Sequence, residues 1–423
     1  MTATTMQNTE AISIDSIDMR RAGRDVLSLA LMDARNHTLH LISHYEQALA
    51  AGSFVVPMRA ELNPPLWELG HIAWFQEYWI GRNPQRHLGP RCDPQAPRLA
   101  SLIARADAWW DSGQVAHDSR WRLPLPKLDG IKAYLLATLE SALELLEKTP
   151  DEDDALYFFR LALFHEDMHG EALIYMAQTL GVPLDLPLPA PAMVREPLQL
   201  PATRWRLGTD AGNDFSFDNE RPPHEVRVPE FEIDAQAVSW SQFVEFVVDG
   251  GYDRPELWLP AGWEWLQAKV RSEGRRAPRH VDQIGVARAG NMGAVVQSHF
   301  GQPMRRLGGQ SAMHLSWWEA DAWCRWAGRR LPTEVEWEVA AHSAARRGFR
   351  WGEVWEWTGS TFHGYPGFAP DPYRDYSQPW FGTHKVLRGA SFATRLRLKS
   401  PKYRNYYLPW RDDIFSGFRS CAI

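Results

Sequence analysis

Apolar residues in the first half of the chain recur every three or four positions. Between Leu128 and Lys148, residues Ile131, Leu135, Leu139, Ala142 and Leu146 fall on one line, the period of a helical face. The stretch from Asp153 to Leu180 repeats this with Tyr157, Leu161, Phe164, Met168, Ala172 and Tyr175. Leu66 to Ile80, and the run from about Asp18 to Ala51, complete a set of four predicted helices. They predict a four-helix bundle over residues 17–180, with a long loop from about 82 to 126 between the second and third helices.

The texture changes at GVPLDLPLPAPAMVREPLQLP, residues 181–201, whose six prolines cannot continue a helix and predict a linker. Residues 202–423 follow as short segments broken by Gly, Pro and Asn, with helical patches near 238–248 and 316–327. This predicts an irregular α+β domain, so the chain as a whole reads as α plus α+β. The first 16 residues are polar and predicted to be mobile. They lack the basic start and apolar core of a secretory signal, which predicts a cytoplasmic protein.

Composition narrows the function. Lys and Arg number 46 against 52 Asp and Glu, a net charge of −6 without charge blocks, which offers nucleic acid no basic face. No window approaches the roughly 18 apolar residues of a membrane span, so neither nucleic acid nor membrane is an expected partner. Cys92, Cys324 and Cys421 are odd in number and form no C-x-x-C, so any metal must be held by His and carboxylates. The 21 tryptophans, concentrated after residue 200, predict large aromatic clusters in the core.

His165 and His169 lie four apart inside the fourth predicted helix, one turn apart on one face, so both imidazoles can reach one metal ion. With Leu161 at zero and about 100° per residue, they fall within the apolar stripe and point into the bundle. The string also matches H-E-x-x-H, in which Glu166 would be the general base of a zinc hydrolase. However, Glu166 sits at about 140° on the same wheel, away from the stripe. A third ligand is needed. His71 lies on a helix apolar on two sides, while His40 and His44 are also four apart on the first helix, and spacing alone does not choose between them.

The motifs W-E-L-G-H-I-A-W-F-Q-E and F-H-E-D-M-H-G-E-A-L resemble the two metal motifs of the ergothioneine-type sulfoxide synthases, whose helical domain resembles the DinB family. In the second half, Leu315-Ser316-Trp317-Trp318-Glu319-Ala320, the segment Arg329 to Glu338, Val354-Trp355-Glu356-Trp357-Thr358 and Phe415-Ser416-Gly417-Phe418-Arg419 resemble the formylglycine-generating (sulfatase-modifying-factor) domain, a C-type-lectin-like fold. The similarity covers nearly the whole chain from about residue 25. It implies a DinB-like four-helix bundle followed by a lectin-like domain, with the site between them. It also implies that His71, His165 and His169 hold a nonheme Fe(II) that uses O2 as co-substrate. Neutral imidazoles suit ferrous iron, and open positions admit oxygen and a soft donor together.

The family joins a sulfur or selenium donor to the imidazole C2 of hercynine, and a tyrosine supplies a proton or electron. The resemblance places Glu171, two residues after the last histidine, near the trimethylammonium group. It places the Asn405-Tyr406-Tyr407 segment in the same pocket, where aromatic faces suit a quaternary ammonium. Met168 stands where the family often has a Gln bonded to the substrate imidazole. Tyr365, Tyr373 and Tyr376 are the candidates for the catalytic tyrosine. In the mycobacterial type, which takes gamma-glutamylcysteine, a loop carries R-x-x-R; here it reads His117-Asp118-Ser119-Arg120, and the later motif ends in Tyr407 instead of Asp. Loss of one anion clamp and one carboxylate implies a different donor, held by Arg120 and His117. L-N-P-P-L-W-E-L-G-H most resembles the selenoneine synthase branch, which takes a selenosugar. Sulfur transfer from a thiol donor is the alternative. Thr358 follows Trp357 where a copper-binding cysteine of true formylglycine generators is expected, which argues against sulfatase maturation. A zinc hydrolase and a noncatalytic lectin-like binding module are the rivals from other classes.

Overall fold

A computed structural model describes residues 13–210, 212, 214–286 and 293–423. The chain opens with helices α1 (Arg24–Leu49), α2 (Pro65–Gln76), a short α3 (Ala106–Trp110), α4 (Leu128–Glu147) and α5 (Asp153–Leu180). Helices α1 and α2 each pack against α4 and α5, forming the expected four-helix arrangement. The first helix starts later than predicted, because Gly23 separates it from a tight turn at Ile17–Arg21. Pro65 occupies the first turn of α2, where its missing N–H costs nothing. At the other end, α2 widens into a looser turn over Glu77–Gly81.

Helix α5 is buried on nearly every side, from Ala155 through Asp167 without interruption. A single apolar stripe therefore understates it, because it lies between the other helices and the second half of the chain. Several buried polar groups tie it there. Arg397 grips Asp167 at 2.7 and 2.8 Å, and the Tyr157 hydroxyl donates to Asp371 at 2.8 Å.

Residues 182–197 have no regular structure. They are laid along the second half: the Leu186 carbonyl bonds to His299 at 3.0 Å and the Pro189 carbonyl to Gln310 at 2.9 Å. Two antiparallel pairs follow, β1 (Leu198–Leu200) with β4 (Phe231–Ile233), and β2 (Thr203–Leu207) with β3 (His224–Val228). The linker expected over 181–201 is thus shorter, since 198–200 form a strand. Next come α6 (Trp240–Val248), α7 (Pro260–Glu273) and an antiparallel sheet of β5 (Val281–Val286), β6 (Gly293–His299) and β7 (Gln302–Arg306). Then α8 (Trp317–Trp326) and α9 (Glu334–Ser343) precede β8 (Trp355–Thr361), β9 (Lys385–Gly389), β10 (Asn405–Tyr407) and β11 (Ser416–Phe418). This last sheet has the order β10-β9-β8-β11, with β11 parallel to β8 and the other pairs antiparallel.

Helices α6 and α8 match the two expected patches, whereas α7 and α9 were not anticipated. Their signals are in the sequence: Pro260 in the first turn and Gly274 at the end of α7, and a Thr333/Glu336 capping box at the start of α9. Of the expected mobile N-terminus, residues 1–12 lie outside the described residues. Residues 13–16 are fixed, because Arg397 donates to the Ile14 carbonyl at 3.0 Å and Ser16 caps the first turn. Among the described residues no helix is long and apolar enough to cross a membrane. All three cysteines are buried and unpaired.

Candidate metal centre and substrate cavity

Helices α2 and α5 bring His71, His165 and His169 together, with one ligand atom of each within 4.8 Å of the others. His71 and His165 are buried at 2% exposure, and His169 reaches the cavity edge. The outer nitrogens of two rings are tied back. His71 Nδ1 bonds the Trp110 carbonyl at 2.8 Å, and His169 Nδ1 bonds Glu68 Oε1 at 2.6 Å. Both partners only accept, so Nδ1 carries the proton in each ring and Nε2 is left with a bare lone pair. His169 Nε2 and His165 Nε2 stand 3.2 Å apart. With its proton on Nε2, His165 donates to the His169 lone pair across that distance; with its proton on Nδ1, both lone pairs are free to meet one cation.

Electrostatics keep His71 and His165 neutral. Burial, reinforced by the neighbouring His169, pushes His71 down to about 3. Burial also carries His165 well below its ordinary value. Burial raises the Glu68 carboxyl, but His169 and His71 outweigh it and hold the group below the usual carboxylate range. Aromatic faces lock the rings in place: Phe75 stacks on His165 at 3.5 Å and Trp67 on His71 at 5.0 Å. Three converging imidazoles, two of them oriented by a partner behind the ring, fit a divalent transition metal.

Glu166 does not join this set. Its carboxylate accepts from Arg35 at 2.8 and 3.0 Å and from Thr38 at 2.8 Å, on the α1 side of the helix. It is as buried as the histidines, yet it faces away from them, so it has no access to a metal-bound water. His40 is exposed on α1 with His44 beside it, apart from the triad.

His165 and His169 open onto a cavity of about 570 Å³ between the helices and the second half of the chain, with His71 buried behind them. Of the expected site residues, His117, Arg120, His165, Met168, His169, Tyr373, Tyr376 and Tyr406 line it. Arg120 lies over the Trp67 ring at 3.7 Å and donates to Asn63 Oδ1 at 2.8 Å. His117 Nε2 bonds the Leu62 carbonyl at 2.8 Å.

Four expectations need correction. Tyr365 is buried elsewhere, under the Arg404 guanidinium at 4.0 Å and beside Glu334, so the tyrosine candidates at the cavity reduce to Tyr373 and Tyr376. Glu171 does not line the cavity. Its carboxylate accepts from Trp355 Nε1 at 2.8 Å, Ser391 Oγ at 2.5 Å and Thr394 Oγ1 at 2.7 Å. Two positions along a helix is about 200° of rotation, so Glu171 points opposite to His169. Asn405 and Tyr407 do not line the cavity either. Strand alternation puts them on the other face of β10 from Tyr406, where Tyr407 meets Arg411.

Sequence reasoning missed Glu68, Asn63, Trp110 and Tyr403. The Tyr403 hydroxyl lies 3.2 Å from Met168 Sδ and 3.3 Å from the Tyr376 hydroxyl. Burial raises both phenols well above their ordinary range, so both hold their protons. Glu68 alone had a signal, because it falls three residues before His71 and thus on the same helical face.

The Sulfatase-modifying factor enzyme 1-like domain family matches residues 186–353. The hercynine oxygenase of Mycolicibacterium smegmatis is 31% identical, covering 94% of this chain and 98% of that one. That of Mycobacterium tuberculosis is 30% identical, covering 93% and 97%. A formylglycine-generating enzyme of Streptomyces coelicolor is 32% identical over 174 residues, 40% of this chain and 54% of that one. Similarity to the hercynine oxygenases runs nearly end to end, and the chain belongs to their family.

Proposed function

We propose that this protein is an oxygen-dependent nonheme iron(II) enzyme that forms a carbon–selenium bond at the imidazole C2 of hercynine, with a selenosugar as donor. In this reading a DinB-like bundle over 17–180 carries the metal, and a lectin-like domain over 202–423 closes the cavity. The observation that carries it is the convergence of three imidazoles, two of them with fixed tautomers, at the edge of a cavity of about 570 Å³. Ferrous iron held by His71, His165 and His169 would supply one-electron chemistry with dioxygen. The Trp110 carbonyl and Glu68 orient the ligating rings, and Phe75 and Trp67 exclude water behind them. Tyr373 and Tyr376, still protonated, stand at the cavity wall to deliver a proton.

Hercynine enters this reading through the relatives, which are named for it. The donor enters through the residues near Arg120. That guanidinium already donates to Asn63 at 2.8 Å, and Asp375, Ser112 and the 41%-exposed Trp380 share the cavity with it. A donor bearing two carboxylates would meet Asp375 with only one engaged cation to offset it. A neutral polyhydroxylated donor finds hydrogen-bonding groups and an aromatic face.

The test is anaerobic reconstitution with Fe(II), then oxygen with hercynine plus a selenosugar, a thiosugar, cysteine or gamma-glutamylcysteine in separate tubes, read by mass. Selenium on hercynine from the selenosugar alone is expected. Sulfur transfer from a thiol donor alone would make the chain a sulfoxide synthase of ergothioneine formation. No product from any tube, with zinc retained in place of iron, would return the hydrolase.

A further inference from the structure

A hydrogen-bonded chain runs from Arg120 at the cavity wall to the outer nitrogen, Nδ1, of His169. Arg120 donates to Asn63 Oδ1 at 2.8 Å, and Asn63 Nδ2 donates to Glu68 Oε2 at 2.9 Å. The other Glu68 oxygen accepts from His169 Nδ1 at 2.6 Å. Each link has one allowed direction. A guanidinium only donates and an ionised carboxylate only accepts, so the amide between them must turn its oxygen to Arg120 and its nitrogen to Glu68. An Asn is suited to this position because it presents an acceptor to the cation and a donor to the anion at once.

The backbone holds that amide still. Asn63 is followed by Pro64 and Pro65, and a residue before proline is confined to extended conformations. Glu68 is 1% exposed, so its charge is little screened and its hydrogen bonds count strongly. Arg120, in contrast, lines the cavity and is within reach of whatever occupies it.

We propose that Asn63 is a positioning residue whose amide transmits the state of Arg120 through Glu68 to His169. This rests on the metal reading above. A donor that takes hydrogen bonds from Arg120 weakens its hold on the Asn63 oxygen. The amide then grips Glu68 less firmly, and Glu68 in turn changes how it orients His169 and how strongly it polarises that ring. The metal centre thereby senses donor binding from the far side of its own ligand.

The experiment measures Fe(II) affinity anaerobically, by competition with a chromophoric chelator, for wild type, Asn63→Ala, Arg120→Ala and the double variant. Loss of the group bonded to a metal ligand weakens binding about 10- to 100-fold; Asn63, one hydrogen bond further out, is expected to cost less when changed to Ala, about 3- to 10-fold, with Arg120→Ala weaker still. In the double variant, Arg120→Ala is expected to add nothing to Asn63→Ala. Asn63→Asp, similar in shape but setting a like charge against Glu68, is expected to weaken binding at least as much. Melting of the metal-free variants checks that they fold as wild type does. Unchanged affinity in Asn63→Ala, or the same fold-loss from Arg120→Ala in both backgrounds, would overturn the relay alone. A wild type that takes up no Fe(II) overturns the metal reading and the relay with it.

Discussion

Gly70 lies so close beneath the Trp110 indole that a Cβ there would come within 2.1 Å of its Nε1 and Cε2 atoms. A glycine inside a helix costs about 1 kcal/mol relative to alanine, so its presence in α2 marks a contact that needs the space. Trp110 is fully buried, and its carbonyl fixes the His71 tautomer. Gly70→Ala is expected to lower stability by about 1–3 kcal/mol through overpacking and to weaken metal binding together with it. Urea unfolding and Fe(II) titration of the same variant check both. A variant that loses stability but binds iron as before would detach Trp110 from the metal site.

His71→Ala removes one of three nitrogens and is expected to abolish stoichiometric Fe(II) retention after gel filtration. Retention of one iron per chain would exclude His71 as a ligand.

Glu166→Gln is expected to keep iron and turnover while losing about 3 kcal/mol of stability, because Arg35 is left buried without its counter-charge. Loss of activity with metal and stability intact would instead restore Glu166 as a general base.

Tyr365→Phe is expected to leave kcat nearly unchanged. At least one of Tyr373→Phe and Tyr376→Phe is expected to lower it about a hundredfold, the scale of a proton-transfer contribution. Equal effects in all three would deny the cavity its role.

Acid is expected to destabilise the metal-free protein before its carboxylates titrate. Burial, with Arg306 and Arg279 nearby, pushes His314 down to about 3, and His71 stands at about 3. An unfolded histidine titrates near 6.5, so between about pH 6.5 and 3 the unfolded chain binds the extra protons. Stability is then complete above about pH 6.5 and falls as the pH drops through that window. Each such histidine contributes up to about 1.4 kcal/mol per pH unit. The unfolding free energy of His314→Gln, followed from pH 7 to 4, is expected to fall less steeply than that of wild type. Parallel profiles would sink the assignment.

Local sequence determined the helices and the pair of candidate ligands that one helix presents. The periodic runs at Leu128–Lys148 and Asp153–Leu180 are helices, because a 3.6-residue period needs no tertiary information to be read. The four-residue step from His165 to His169 likewise fixes their shared face. Spacing left His71, His40 and His44 open and only the family resemblance favoured His71; the tertiary structure brings His71 to the pair, because the packing of α2 against α5 joins residues more than ninety apart in the chain. The same holds for Glu171, whose rotation on the helix turns it toward Ser391 and Thr394, and for the tyrosines, whose loop has no period to fix its side chains. Glu166 shows the division within one helix. The wheel put it off the ligand face, but only Arg35, brought in from α1, decided that a buried carboxylate there would be an anchor for the fold and not a base for the metal.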